Sequence, residues 1–178
     1  MNGMNAEELN PNISTMIHTQ TQNGVTAFYT KKSPLSNFFR CEFVCHGKRF
    51  HSSEQCYQYS KALFFNDVKT ASQILESGSP FKCLLLGRQV QNFDKNVWRS
   101  GVAIQCMRIA LRAKFEKNFH LQKVLNETGD SLICEASKND RYWGVGYTFS
   151  EPNLFQPKCW LGYNHMGKLL MELRKEFK

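Results

Sequence analysis

The segment "DKNVWRSGVAIQCMRIALRAKFEKN", residues 94–118, constrains the fold more than any other stretch. It is the longest run with a helical period, and its apolar positions cover a broad arc instead of a narrow stripe. A helix of that kind is largely buried, so other elements must pack around it. The sequence supplies them. In "SSEQCYQYSKALFF" (52–65), Ser52 followed by Gln55 is a capping-box pattern that places a helix start. "DVKTASQILESG" (67–78) offers Asp67 as an N-cap and Gly78 as a stop. "SPFKCLLLGRQV" (79–90) has Pro80 at a first helical position and a break near Gly87. "FHLQKVLNETG" ends at Gly129, and "HMGKLLMELRKEF" (165–177) follows Asn164, read as its cap.

Strands are fewer. "VTAFYT" (25–30) and "SLICEAS" (131–137) read as short strands, and "CEFVCHGKRFH" (41–51) alternates around "HG" as a small hairpin. "KNDRYWGVGYTFSEPNLFQPKCWLGYN" is a long loop region rich in Gly, Pro and aromatic residues. No internal repeat and no alternating strand–helix–strand pattern is seen. The expectation is a helix-rich α+β single domain with a few short strands, spanning residues 25–178. Residues 1–24 are rich in Asn, Thr and Gln and read as a flexible extension.

Charge narrows the partners. Against 15 Asp and Glu stand 23 Lys and Arg, a formal charge of +8, with no basic run of five. Such a surface attracts phosphates, nucleotides or nucleic acid and supports a phosphorylated substrate without naming one. The seven Cys form no CxxC pair. Cys41, Cys45, His46 and His51 could be assembled into a metal cluster, but their alternation fits strand residues. We expect reduced, buried thiols and no metal site. No signal-peptide run and no stretch of about 18 apolar residues is found, so a cytoplasmic protein without a membrane segment is expected.

Within residues 52–65, Glu54, Gln58 and Lys61 are four and then three residues apart, one row along a helix face. Periodicity leaves two readings open. The row is either the solvated side of an amphipathic helix or, with Tyr57 and Phe65 at its borders, the wall of a site. An acid and an amine between aromatic walls would make a proton-transfer and nucleophile pair. Trp143, in "NDRYWGVGY", either stacks on a flat heterocycle or pins its loop to the core. Trp98 is either core or a second stacking wall. Arg88, after an apolar run and a Gly, could fork a phosphate or lie on the surface. Arg108, Arg112 and Lys114 read as the exposed edge of the long helix. Asn37 and Phe38, in "LSNFF", belong to a loop that either contacts a ligand or caps a turn.

Together, "FYTKKSPLSNFF", "SSEQCYQYSKA", "LGRQV", "VWRSGVAIQCMRIALRAKF", "LNETGDSLICEASKNDRYWGVG" and "LGYNHMGKLLMELR" resemble the NADAR or YbiA-like N-glycosidases, in order and in register. The resemblance runs from about Phe28 to Arg174. It implies hydrolysis of a ribose C1–N bond, in riboflavin-pathway aminopyrimidine ribosyl phosphates or in ADP-ribose attached to guanine, which a nucleic acid could carry. It implies that Glu54 matches the family's key acid and Lys61 the lysine one turn beyond Gln58. Asp140 matches the acid before "WG", and Trp98 and Trp143 match two tryptophans. Where some bacterial members carry an Asp between the two glycines, this chain has Val145. On this basis Glu54, Lys61 and Asp140 are the expected catalytic residues. Asn37, Phe38, Arg88, Trp98 and Trp143 are the expected substrate contacts, with no cofactor or metal required. Enclosure by Tyr57 and Phe65 would help keep Glu54 protonated as an acid. The alternative is a non-catalytic binding module for ADP-ribose or a related nucleotide.

Overall fold

The computed structural model of the chain describes residues 18–178. In chain order its main elements are β1 (Thr19–Gln22), β2 (Val25–Phe28), β3 (Phe43–Cys45) and β4 (Lys48–Phe50). Helices α1 (Ser53–Phe64), α2 (Val68–Glu76), α3 (Pro80–Gly87), α4 (Ala103–Glu116) and α5 (Phe119–Glu127) follow, then β5 (Leu132–Glu135) and α6 (His165–Glu176). The fold is α+β and helix-rich with short strands, as the pattern of elements predicts. Contacts group the chain into two compact units, one of residues 18–36 and 125–176, the other of residues 37–124. No described helix is long and apolar enough to cross a membrane.

The first unit is built on a three-stranded sheet in the order β1-β2-β5. β1 pairs antiparallel with β2, and β2 pairs parallel with β5, Val25 opposite Leu132 and Phe28 opposite Glu135. This corrects the expected start of the fold. Thr19–Gln22 lies within the segment read as a flexible extension, yet it is a strand. Asn23 and Gly24, both left-handed at φ 52° and 72°, make the tight turn that joins it to β2. The strand is polar and mostly exposed, so the ladder and hydroxyl bonds hold it instead of burial. Thr21 Oγ1 lies 2.8 Å from Thr26 Oγ1, and Thr19 Oγ1 lies 2.9 Å from Ser33 Oγ. The rest of the expected extension, residues 1–17, lies outside the described residues.

Val25, Ala27, Cys134, Ala136, Val145, Leu154 and Phe155 form this unit's core. α6 packs on β5 through Gly167, where a Cβ would stand 2.0 Å from the Ile133 carbonyl oxygen. Asn164 stands at the cap of α6 as expected, its carbonyl accepting from Lys168 N at 3.1 Å. Its side chain serves the strand, Nδ2 donating to Ile133 O at 2.9 Å and Oδ1 accepting from Glu135 N at 3.3 Å. Gly167→Ala is therefore expected to destabilise the fold by about 1–3 kcal/mol, the range for overpacking a tight contact. Thermal denaturation checks it against Gly78→Ala, where nothing lies within 4 Å of the added methyl and the melting temperature should barely move.

In the second unit α1 packs against α2, α3 and α4, with the β3–β4 hairpin beside α4. The "HG" turn of the hairpin holds His46 at φ 48° and Gly47 at φ 71°, as the alternation predicts. Ser52 caps α1 by accepting from Gln55 N at 3.2 Å, but the reciprocal capping-box bond is displaced. Gln55 Oε1 accepts from His51 N, while its Nε2 donates to the carbonyls of Ile74, Leu75 and Ser77 and so closes the end of α2. One buried amide thereby ties the start of one helix to the end of another.

The long periodic segment is not one helix. Asp94 caps a single turn, Lys95–Val97, a wide turn follows over Trp98–Val102, and α4 runs from Ala103. Gly101 makes the break at φ 130°, a backbone that L side chains rarely adopt. α4 buries one face through Ala103, Met107, Ala110, Leu111 and Phe115 and exposes Gln105, Ile109, Arg112 and Glu116, so it is less buried than the period suggests, and one residue is misplaced by it. Lys114 is 0 % exposed, where the period put it on the wet edge. Its ammonium lies over Phe39 and Phe115, 5.5 and 4.9 Å from the ring centroids, and burial pushes it down to about 8. Cys45, Cys56, Cys83 and Cys134 are buried free thiols, and Cys41, Cys106 and Cys159 are half-buried. Among the described residues no three His, Cys, Asp or Glu side chains are placed to hold a metal.

Candidate active site

The polar row of α1 is buried. Glu54 is 3 % exposed, Gln58 5 % and Lys61 9 %, so it is not the solvated side of an amphipathic helix. The reason is tertiary. The loop around Asn37 closes over the first turn of α1, where Glu54 N donates to Asn37 O at 2.9 Å. The Asn37 side chain returns the contact, Nδ2 donating to Glu54 Oε2 at 2.5 Å. Gln58 Nε2, one turn along the helix, donates to Glu54 Oε1 at 2.8 Å. Both carboxylate oxygens are thus fixed by amide donors, and the acid stands at the helix's positive end. The two donors fix the orientation of the Glu54 side chain.

Lys61 lies one turn further. Its Nζ donates to Gly87 O at 2.8 Å and stands 3.8 Å from the centroid of Phe93. Burial pushes the amine down to about 8, and the Glu54 charge opposes only part of that shift. Such an amine is substantially neutral, and so nucleophilic, at mildly alkaline pH. Gly87 makes the arrangement sterically feasible. A Cβ there would fall 1.9 Å from Gln58 Oε1, so only glycine lets α3 bring its last carbonyl to Lys61 while its α-carbon abuts Gln58.

Phe93 lies over Lys61, but the expected aromatic residues take other roles. Trp98 is 4 % exposed, its indole N–H donates to Tyr57 Oη at 2.8 Å, and its ring packs 5.5–6.0 Å from Tyr57, Phe64 and Phe65. The expected stacking wall is therefore a core residue whose faces are already covered, and it acts by holding Tyr57. Arg88 is exposed at the end of α3. Phe38 is half-buried beside Asn37. Asn37, Glu54 and Gln58 form one hydrogen-bonded system, with Lys61 one turn along the same helix and bonded to the Gly87 carbonyl, whereas Arg88 and Trp98 are not part of it.

Asp140 and Trp143 belong to the first unit. Asp140 is exposed, and its Oδ1 accepts from Tyr142 N at 3.0 Å and Trp143 N at 2.9 Å. The carboxylate thus shapes the turn that carries Trp143. That indole is half-buried, with Tyr142 5.0 Å and His165 6.3 Å away, both edge-on. Gly144 leaves room for this turn, since a Cβ there would meet Asp140 O, Glu135 O and Ser137 Cβ at 2.9 Å.

Three contributors escaped the expected set. Gln58 stood in the polar row, and its i+4 spacing from Glu54 was the available signal. Gly87 was visible only as a helix end. Phe93 lies in an aperiodic loop and gave none.

Comparison with known proteins identifies the family. The NADAR domain family model matches residues 26–178. N-glycosidase R617 of Acanthamoeba polyphaga mimivirus is 37% identical over 125 residues, covering 70% of this chain and 73% of that protein. Riboflavin biosynthesis protein VVA0006 of Vibrio vulnificus is 30% identical over 144 residues, which cover 81% of this chain but only 35% of that longer protein. N-glycosidase YbiA of Escherichia coli is 33% identical over 158 residues, 87% of this chain and 89% of its own length. The NMR structure of the E. coli protein YbiA superposes with a TM-score of 0.70, covering 92% of this chain and 90% of that one at 31% sequence identity.

Proposed function

The chain belongs to the NADAR family, and from that premise we propose that it is an N-glycosidase that hydrolyses the C1–N bond of a phosphorylated ribosyl heterocycle. The observation that carries this reading is a buried carboxylate, Glu54, fixed by Asn37 and Gln58, and a buried amine, Lys61, lowered by burial and held on the Gly87 carbonyl, both on one helix face. A binding module needs neither. The relatives named as N-glycosidases support the reaction class, and the relative named for riboflavin biosynthesis supports an aminopyrimidine ribosyl phosphate as substrate. ADP-ribose attached to guanine is the second substrate class, with the same ribose C1, flat heterocycle and phosphate. The formal charge of +8 suits either one.

The proposed sequence of steps begins with opening of the ribose ring. O4′ takes a proton from solvent as the lone pair of the glycosidic nitrogen forms a cationic C1=N iminium, and that proton returns to solvent when the sugar aldehyde is released. The neutral Lys61 amine adds to C1, and the proton it loses passes to Glu54. Glu54 delivers that proton to the departing nitrogen, the C1–N bond breaks, and the free amine of the heterocycle leaves. C1 remains as an imine on Lys61. Water then adds to the imine, Glu54 taking its proton, and collapse returns the free sugar and the Lys61 amine. Asn37 and Gln58 hold the carboxylate in place through these transfers. Asp140 holds the turn that carries Trp143.

Incubation with ribosylaminopyrimidine phosphate and, separately, with ADP-ribosylated guanosine tests the reading, with free base detected by mass. Release from at least one is expected; binding to either without release would make the protein a binding module. Because the nucleophile must be neutral, kcat/KM should rise with pH and level off above about 8, the value to which burial lowers Lys61. A pH–rate series on the better substrate checks that limb.

A further inference from the structure

The loop after α3 belongs to no regular element, yet it reaches the reactive amine. Asp67 fixes it. One carboxylate oxygen caps α2 by accepting from Thr70 N at 3.0 Å, and the other accepts from Gln91 N at 2.9 Å. Asn92 then turns the chain at φ 56°, and the next residue, Phe93, lies over Lys61 with Nζ 3.8 Å from the ring centroid. An edge-on contact with Phe65, 5.3 Å between centroids at 75°, sets the tilt of the ring. Lys61 is 9 % exposed and Phe93 40 %, so the ring is the more solvent-facing of the two.

On the reading of Lys61 as the nucleophile, we propose that Phe93 is a positioning residue, its ring keeping water off the amine and holding Nζ against the Gly87 carbonyl. Two opposing effects act through the ring. Its face attracts an ammonium, but it also displaces water, and hydration of an ammonium is stronger than the pull of one aromatic face. Removing the ring therefore favours the protonated amine. The charged group that acts on Lys61 is Glu54, from its own helix. α3 contributes the Gly87 carbonyl, Asp67 at the start of α2 is committed to Thr70 and Gln91, and Lys114 on α4 lies over Phe39 and Phe115.

The test uses Phe93→Leu, Phe93→Met and Phe93→Tyr in the full chain. Competitive acetylation of Lys61 across pH, quantified by peptide mass, reads the ionisation of the amine directly, and kcat/KM across pH reads its use. In Phe93→Leu and Phe93→Met we expect the labelling midpoint and the rising limb of activity to move together to higher pH. A shift of about one unit lowers kcat/KM at neutral pH roughly tenfold, with recovery at alkaline pH. Phe93→Tyr should keep both near the parent. A half-exposed loop ring gives little reason for misfolding, and the Met variant serves if Leu does not fold. An unchanged labelling midpoint in folded Leu or Met variants overturns the proposal. A shifted midpoint with an unshifted activity limb upholds Phe93 and instead removes Lys61 as the nucleophile.

Discussion

Replacing Glu54 by Gln should leave a folded protein that no longer hydrolyses its substrate. The side chain keeps its shape, and its carbonyl can still accept from Asn37 or from Gln58. The new amide meets the other donor, and that neighbour must flip to offer its oxygen, as the unpartnered oxygens of Asn37 and Gln58 allow. The stability change is therefore small, while the proton carrier for three transfers is gone. Positioned acid–base groups contribute about 10²–10⁴-fold each. In the proposed mechanism the same carboxylate serves addition, departure and hydrolysis, so a fall in kcat at the upper end of that range is expected. Steady-state kinetics with a parallel melting curve measures it. Retention of more than a tenth of the parent rate in the folded variant would remove Glu54 from the mechanism.

Lys61→Met carries the second large effect. The substitution keeps most of the buried stem and removes a charge that burial already disfavours, so the fold should hold. It leaves the Gly87 carbonyl without its donor, a cost of about 1–3 kcal/mol for a buried acceptor. Without the amine no imine forms, and turnover should fall by roughly 10³ or more, since the covalent route loses its nucleophile entirely. The rising limb near pH 8 should disappear with it. The pair of variants separates two chemistries. Direct attack by water on an oxocarbenium-like ribose needs Glu54 as base and not Lys61, so it predicts that Glu54→Gln is inactive and Lys61→Met active.

Much of the fold could be read from local signals. Ser52, Asp67 and Pro80 start the helices that they cap or lead, and "HG" turns the β3–β4 hairpin, because each acts within a few residues of itself. What could not be read was what packs on each face. The row of Glu54, Gln58 and Lys61 has the period of a wet face, and it is buried because residues 37 and 87–93 fold over it, contacts between segments far apart in sequence. Lys114 misled for the same reason in reverse, as a charged residue on the buried face of α4, while Gln105, Ile109, Arg112 and Glu116 keep the other face exposed. β1 was missed on composition: a run of Thr and Gln lacks the apolar alternation of a strand, and the Asn23-Gly24 turn that creates it was the stronger clue. Trp98 shows the limit of carrying a role across by resemblance. Its position matched, but burial against Tyr57, Phe64 and Phe65 makes it a support behind the site.

In the proposed mechanism Lys61 takes the sugar. Turnover in the presence of a hydride reductant, followed by peptide mass analysis, tests it most directly. The account predicts irreversible inactivation that depends on substrate, with the reduced sugar attached to the peptide carrying Lys61 and no adduct on Lys61→Met. Continued turnover with no adduct on that peptide would contradict it.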